Sequence, residues 1–465
     1  FGCRATQADG AAIERQFIER GLARSETAQE ASVVVLNTCT VTASADQDVR
    51  NSIRRIHRQN PACKIVVTGC YAQRAPEELA SIPGVNWVIG NSHKHQVGEV
   101  ACSGSSQFLP LAQVGMTPSP AAGEILVGDI FAHTELMAAP VFDADTASEK
   151  TRPNLKVQDG CNNRCSFCII PSVRGRSRSL PDIAVISEVK ALVGMGYREV
   201  VISGINLGRW GRDLRESSKF ASLVRSILGQ TSLEKLRISS VEPMDWTDEL
   251  IELCASSPRI AKHAHVPMQS GSDRVLRLMH RKYRPWHYRE KIEKIRAAMP
   301  SAAVGADVMV GFPGETDADF EETRQFIASL PMTYLHVFTF SARPGTPAAA
   351  MPNQVHPQVM KERNRVLREL AAAKKREFQQ GFIGKTLEAI TLTHFNGTHT
   401  ECLTDNFQKL WLEGKWEANQ WVKAGILDIE TESLIGQNRE PWGGIVDDQP
   451  AIIGLNRPQR TYSAD

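Results

Sequence analysis

Three cysteines stand together as Cys161-Asn-Asn-Arg-Cys165-Ser-Phe-Cys168, directly after a stretch that reads as a β-strand. Thiolates are soft, anionic ligands for iron, and three on one loop suit a [4Fe-4S] cluster with its fourth iron left open. An open coordination position is what separates a reactive metal centre from a structural one. The other readings are a zinc site short of one ligand or a chance cluster, and no histidine or fourth cysteine lies at zinc-like spacing. Cys3, Cys39 and Cys70 are far apart in sequence, but each is expected in a loop at a strand end. Cys63, Cys102, Cys254 and Cys402 have no patterned neighbours and read as structural or incidental thiols. A disulfide framework is excluded, because a chain of 465 residues with no secretory signal can bury a large core without staples.

The elements that must position these residues follow from periodicity. Up to about residue 100, strand-like runs at 33–36, 64–68 and 87–89 alternate with helical patterns, the rhythm of a parallel α/β sheet. Its strand C-termini collect functional loops on one edge, so Cys39 and Cys70 can meet in space. The chain opens Phe-Gly-Cys, which predicts that a few residues completing a first strand precede it, with Cys3 after that strand. Residues 104–153 lose periodicity and read as a connector with one apolar stretch at 125–131. A second α/β block has strands expected at 155–157, 199–202, 235–239, 263–266, 304–310 and 335–340, separated by helical patterns, which makes a partial (βα)6 barrel. A charged helix is expected over 360–379. Short alternating strands at 386–393, 399–403, 409–412 and 426–431 then predict a small β-barrel. The fold class is therefore α/β with three units: 1–103, 154–379 and 380–442, with a tail at 443–465.

Composition is that of a globular chain, with 42% hydrophobic and 23% charged residues, which excludes a disordered or fibrous protein. No apolar run approaches the ~18 residues needed to span a bilayer, and a cytoplasmic protein is expected. The net charge of +2 advertises no polyanion partner. Local runs permit one: Arg50, Arg54 and Arg58 recur at helical spacing, and Arg174, Arg176 and Arg178 alternate.

The Cys161 motif resembles the radical S-adenosylmethionine (SAM) superfamily, in which this spacing with an aromatic residue before the last cysteine binds a [4Fe-4S] cluster whose open iron chelates SAM. Following that resemblance, Cys161, Cys165 and Cys168 carry the radical chemistry. Ser203, Gly204 and Asn206 then stand near the SAM amino group, and Arg237 and Ser239 near the ribose. Gln269 and Ser270 fall near the nucleoside or carboxylate, and Val310, Phe312 and Phe167 supply apolar surface. Cys3, Cys39 and Cys70 ahead of that block resemble the methylthiotransferase family, in which they bind a second, auxiliary [4Fe-4S] cluster. The segments Leu403-Thr-Asp-Asn-Phe407 and Glu432-Ser-Leu-Ile-Gly436 resemble the TRAM module, which carries RNA in many such enzymes. One departure is Thr6, where the family commonly has asparagine three residues after the first cysteine.

Asn37-Thr-Cys-Thr-Val-Thr42, the Arg174–Leu180 and His336–Thr346 segments and Met351-Pro-Asn-Gln354 resemble the branch that thiomethylates N6-threonylcarbamoyladenosine at tRNA position 37. The resemblance implies a tRNA anticodon stem-loop as substrate, an electron donor protein and a sulfur donor. The alternatives are the branches acting on isopentenyladenosine or on a ribosomal protein aspartate, and a non-catalytic iron-sulfur RNA-binding protein. Residues 381–440 hold five Lys and Arg against nine Asp and Glu, a balance better suited to a basic protein partner than to RNA. The threonylcarbamoyl group bears a carboxylate, and leaving it unpaired out of water costs several kcal/mol. At least one arginine is therefore expected on the substrate side, with Arg176, Arg178 and Arg343 the leading candidates.

Overall fold

The computed structural model describes residues 2, 4–102, 123–133, 136 and 151–440. Cys3 and the tail 443–465 lie outside the described residues, as does most of the expected connector.

The chain begins with helix α1 (Arg4–Ile18), which sequence periodicity did not indicate because Gly10 interrupts a polar stretch. Strands β1 (Val33–Thr38), β2 (Lys64–Gly69), β3 (Val85–Gly90) and β4 (Glu124–Leu126) form a parallel sheet in that order. Residues 124–126 were expected inside the connector; they pair with Trp87–Ile89 of β3 and so extend this sheet. Helix α2 (Ala43–Gln59) starts on Thr42, whose hydroxyl accepts from the Ala45 amide, and buries Val49, Ile53 and Ile56 every third or fourth residue. Helices α3 (Cys70–Arg74), α4 (Pro76–Ala80) and α5 (Val97–Cys102) complete the unit.

The central unit is an arc of six parallel strands. They are β5 (Asn154–Asp159), β7 (Glu199–Gly204), β8 (Lys235–Ile238), β9 (His263–His265), β10 (Ala303–Val310) and β11 (Tyr334–Thr339). A short β6 (Arg178–Ser179), after α6 (Ile170–Arg174), pairs antiparallel with β5. A parallel bridge between Leu236 and Ile260 joins the two halves of the arc. Outside it pack α7 (Asp182–Gly194), α8 (Phe220–Gln230), α9 (Asp248–Ser256), α10 (Asp273–Leu278), α11 (Pro285–Ala298) and α12 (Asp317–Ser329). Their apolar faces meet Val200, Ile202, Leu236, Val304 and Val308 in the largest core of the molecule.

Helix α13 (Pro357–Gln380) leads to a closed five-stranded barrel of β12 (Thr386–Phe395), β13 (His399–Thr404), β14 (Lys409–Glu413), β15 (Trp421–Glu430) and β16 (Ser433–Glu440). The barrel docks on the N-terminal ends of the central strands. Phe407, with φ of 64°, puts its ring 4.3 Å from that of His263 and 5.7 Å from that of Tyr334, with the Arg237 guanidinium 5.6 Å away. Lys235 pairs with Glu388 and Asp405 at the same seam. Cys63, Cys254 and Cys402 are buried thiols, and burial takes the last two to about 12. Among the described residues no helix is long and apolar enough to cross a membrane.

Candidate active site

The three clustered cysteines lie on the loop that leaves β5. Gly160, at φ 69°, turns the chain there, and a Cβ on it would stand 2.0 Å from the Arg176 carbonyl, so only glycine fits. The Cys161 amide donates to the Gly175 carbonyl and the Cys168 amide to the Cys165 carbonyl. Ser166 anchors the middle of the loop to the end of α10, its hydroxyl donating to the Leu278 carbonyl at 2.7 Å. Phe167 packs with Val275, Met279, Met309, Phe312 and Phe340.

Burial raises the Cys161 thiol and carries Cys168 to about 12, and each is raised further by neighbouring cysteines of the loop. Both thiols are raised, so a metal loaded there must displace protons. The Cys161 sulfur accepts from Asn206 Nδ2 at 3.5 Å, and the Cys165 sulfur from Arg281 at 3.2 Å. Among the described residues no three His, Cys, Asp or Glu side chains converge as they would on a single ion. The donor set itself, three soft thiolates on one loop, is of the kind that ligates an iron-sulfur cluster.

Beside the loop, the ends of β7 and β9 present Ser203 Oγ, Asn206 Oδ1 and Gln269 Oε1, which are buried and without hydrogen-bond partners among the described residues. Each such atom costs about 1–3 kcal/mol unless a ligand satisfies it. Gln158 fixes this region, accepting from the Asn206 amide and donating to the Asp159 and Gly160 carbonyls. Gly204 backs onto Gln158, and Gln269 holds a left-handed backbone at φ 65°. Ser239 is buried at the end of β8.

Three of the residues expected around a cofactor have side chains engaged with other parts of the protein. Arg237 is fully buried at the opposite end of the strands, where its guanidinium donates to Glu199 and to the Thr404 and Asp405 carbonyls. Arg237 aligns with Val201 in the middle of β7 and through it with Asn154, the first residue of β5, and its side chain runs back to Glu199, the first residue of β7. The Ser270 hydroxyl is engaged by Thr323 and by the Ser272 amide. Val310 points into the core between strands and helices, whereas Phe312 packs beside Phe167.

Cys39 and Cys70 lie one residue beyond the paired strand ends Thr38 and Gly69, so β1 and β2 carry them side by side. Both are buried. A Cβ on Gly2 would stand 2.5 Å from Cys39 Cβ, which puts the residue preceding Cys3 directly against Cys39. Cys70 packs with Ile169 and Val173, which follow Cys168, so the two cysteine groups back onto a shared apolar wall. Asn91 Nδ2 donates to the Cys70 sulfur at 3.6 Å and to the Val173 carbonyl at 2.7 Å, spanning the two units.

Sequence reasoning missed the buried ionic cluster that joins these units. Asp9 of α1 accepts from Lys94 at 2.8 Å, from Arg174 at 2.9 Å and from Lys156, while Asp159 accepts from Lys156 and Arg174. Burial opposes charge on both carboxylates, but these cations outweigh it and hold both acids well below the usual carboxylate range. The arginines expected to meet substrate divide in a similar way. Arg343 is buried against Asp46, which Arg74 also pairs, and it donates to Thr40 at 2.8 Å. Two arginines thus share the one Asp46 carboxylate where the units meet. Arg178 donates to the His133 and Arg176 carbonyls, and burial lowers its pKa. Arg176 is exposed.

Comparison with known proteins agrees with this geometry. Residues 155–327 match the radical SAM superfamily, and residues 1–90 match the uncharacterized protein family UPF0004. The threonylcarbamoyladenosine tRNA methylthiotransferase MtaB of Bacillus subtilis is 38% identical over 419 residues, covering 89% of each chain. That of Aquifex aeolicus is 35% identical, covering 92% of this chain and 98% of its own. A tRNA-2-methylthio-N(6)-dimethylallyladenosine synthase of Erythrobacter litoralis is 33% identical, covering 94% and 95%. Among solved structures, the radical SAM methyltransferase TsrM of Kitasatospora setae superposes with a TM-score of 0.50 at 17% identity, over 72% of this chain and 66% of its own, a likeness of fold.

Proposed function

The chain belongs to the radical SAM methylthiotransferase family, and from that premise we propose that it converts N6-threonylcarbamoyladenosine at position 37 of tRNA to its 2-methylthio derivative. SAM and a [4Fe-4S] cluster serve the family's radical chemistry. A second cluster, on Cys3, Cys39 and Cys70, belongs to the proposal. The observation that supports it is the packing of Cys70 against Ile169 and Val173, which follow Cys168 in the chain.

When bound, these groups supply homolytic chemistry for an unactivated C–H bond and a source of sulfur. The chain's own residues bind, orient and exclude. Cys161, Cys165 and Cys168 would hold the radical cluster, and Ser203, Asn206 and Gln269 offer the unsatisfied polar atoms for the zwitterionic part of SAM. Phe167 and Phe312 close the site with apolar surface that keeps water away. A loop adenine can be splayed out of an anticodon stem-loop, where single-stranded bases are accessible. The substrate's carboxylate needs a cation, and of the three arginines expected there the exposed Arg176 is the one whose side chain has room to take it. An electron donor protein, a sulfur donor and a cytoplasmic setting complete the reading.

Assays on anticodon stem-loops carrying either nucleoside test it. Threonylcarbamoyladenosine should be the preferred substrate, and Arg176→Gln should raise its KM with little change for isopentenyladenosine. Preference for the isopentenylated stem-loop or for a ribosomal peptide overturns the substrate assignment.

A further inference from the structure

Arg281 lies in the turn after α10 and is almost entirely buried. One nitrogen donates to the Cys165 sulfur at 3.2 Å, Nε donates to the Tyr283 hydroxyl at 3.2 Å, and the other terminal nitrogen donates to the Glu242 carboxylate. The guanidinium also stands 4.9 Å from the Tyr283 ring centre. Tyr283 is fixed in turn, its hydroxyl donating to the Met268 carbonyl at 2.6 Å next to Gln269. A rigid planar cation is thus held on a cysteine sulfur by three elements, with a carboxylate on its far side.

We propose that Arg281 is a positioning residue that sets the reduction potential of the cluster on Cys161, Cys165 and Cys168, with Glu242 as its counterweight. The inference rests on the reading that these cysteines hold a [4Fe-4S] cluster. Reduction adds one electron to the cluster and neither forms nor breaks a bond, so the reduced state is the more negative one. A hydrogen bond to a ligating sulfur and a nearby positive charge stabilise that state and raise the potential. Glu242, partly neutralising Arg281, draws the potential back down. Both groups act in a little-hydrated place, where fields are weakly screened.

The test is a potentiometric titration, followed by electron paramagnetic resonance, of the reconstituted full chain without SAM, with dithionite as reductant. A Cys39→Ala, Cys70→Ala background isolates the one cluster. Arg281→Met should lower the reduced-to-oxidised ratio at fixed potential about tenfold, equivalent to about 59 mV for a one-electron couple. Arg281→Lys should recover part of this, and Glu242→Gln should shift the ratio the opposite way. An unshifted potential in Arg281→Met, or shifts of the same sign in Arg281→Met and Glu242→Gln, overturns the inference. Should Arg281→Met fail to load iron, Glu242→Gln keeps the bond to sulfur and decides alone, an unchanged potential overturning the proposal. Absence of any cluster in protein retaining all three loop cysteines instead overturns the reading beneath it, and iron and sulfide analysis tells the two failures apart.

Discussion

Replacing Asp9 by asparagine should loosen the seam between the first two units. The Asp9 side chain is 1% exposed, and with Asp159 it faces three cations, Lys94, Lys156 and Arg174, all nearly as buried. The substitution leaves one carboxylate against three cations and turns an NH2 group toward donors. Breaking a buried pair from one side costs about 3–5 kcal/mol, because the partner charge stays behind unpaired. Asp9 and Lys94 belong to the first unit, and Lys156, Asp159 and Arg174 to the second, so the loss falls on their contact. At the lower bound of about 3 kcal/mol, local opening becomes roughly 100-fold more frequent. Hydrogen exchange of amides in α1 and α6 should accelerate by that factor, while the C-terminal barrel is unchanged. The paired change Asp9→Asn, Lys156→Met removes one charge of each sign and should restore part of the protection. Acidity gives a second readout. The folded pKa of Asp9 is depressed, so its contribution is fully present above the unfolded value of about 3.9 and is lost as pH falls through the folded value. The wild-type seam should be flat from pH 7 to 5 and weaken below about 4, and the variant should keep only the part of this acid limb that Asp159 supplies. Unchanged exchange in Asp9→Asn, or a double variant as loose as the sum of both single changes, refutes the argument.

Converting Cys161, Cys165 and Cys168 together to alanine should leave about four of eight irons per chain after anaerobic reconstitution and abolish 5′-deoxyadenosine formation under dithionite; persistence of that product counts against the radical-cluster assignment. Converting Cys39 and Cys70 should spare SAM cleavage and remove the methylthiolated nucleoside, read by mass analysis, whereas full methylthiolation returns them to the status of core thiols. Phe407→Ala should destabilise docking of the C-terminal barrel by about 2 kcal/mol, since a half-buried ring loses contact with His263, Tyr334 and Arg237. Proteolytic cleavage near α13 should then rise, and unchanged protection would show that Lys235 and its acids hold the seam alone.

Cysteine spacing was legible in the sequence because iron ligation demands a residue type, and the alternating strands because burial on one face demands a period. The direction of a side chain at a strand end was not. Arg237 on β8 and Ser239 just past its end are two residues apart, yet the Arg237 side chain reaches back to Glu199 and the C-terminal barrel. Arg343 and Arg178 read as cations available to a ligand, and their partners, Asp46 and the His133 carbonyl, are far away in sequence. Arg281 and Cys165 are 116 residues apart, and Asp9 and Lys156 are 147 apart, so neither pair leaves a local pattern. The one signal for Asp9 was a lone acid within the first turns after Cys3, in a stretch whose helix went unrecognised.

The ring of Phe407 resting among Arg237, His263 and Tyr334 also says how this protein can change over generations. The small barrel contributes a side chain to the floor of the larger one, so it cannot be traded for a barrel from another chain as a self-contained cassette. A substitution at any of these four positions alters the shape that the other three must meet. Across descendants of this sequence, these residues should vary as a set, although they lie on three strands and a loop of two different units.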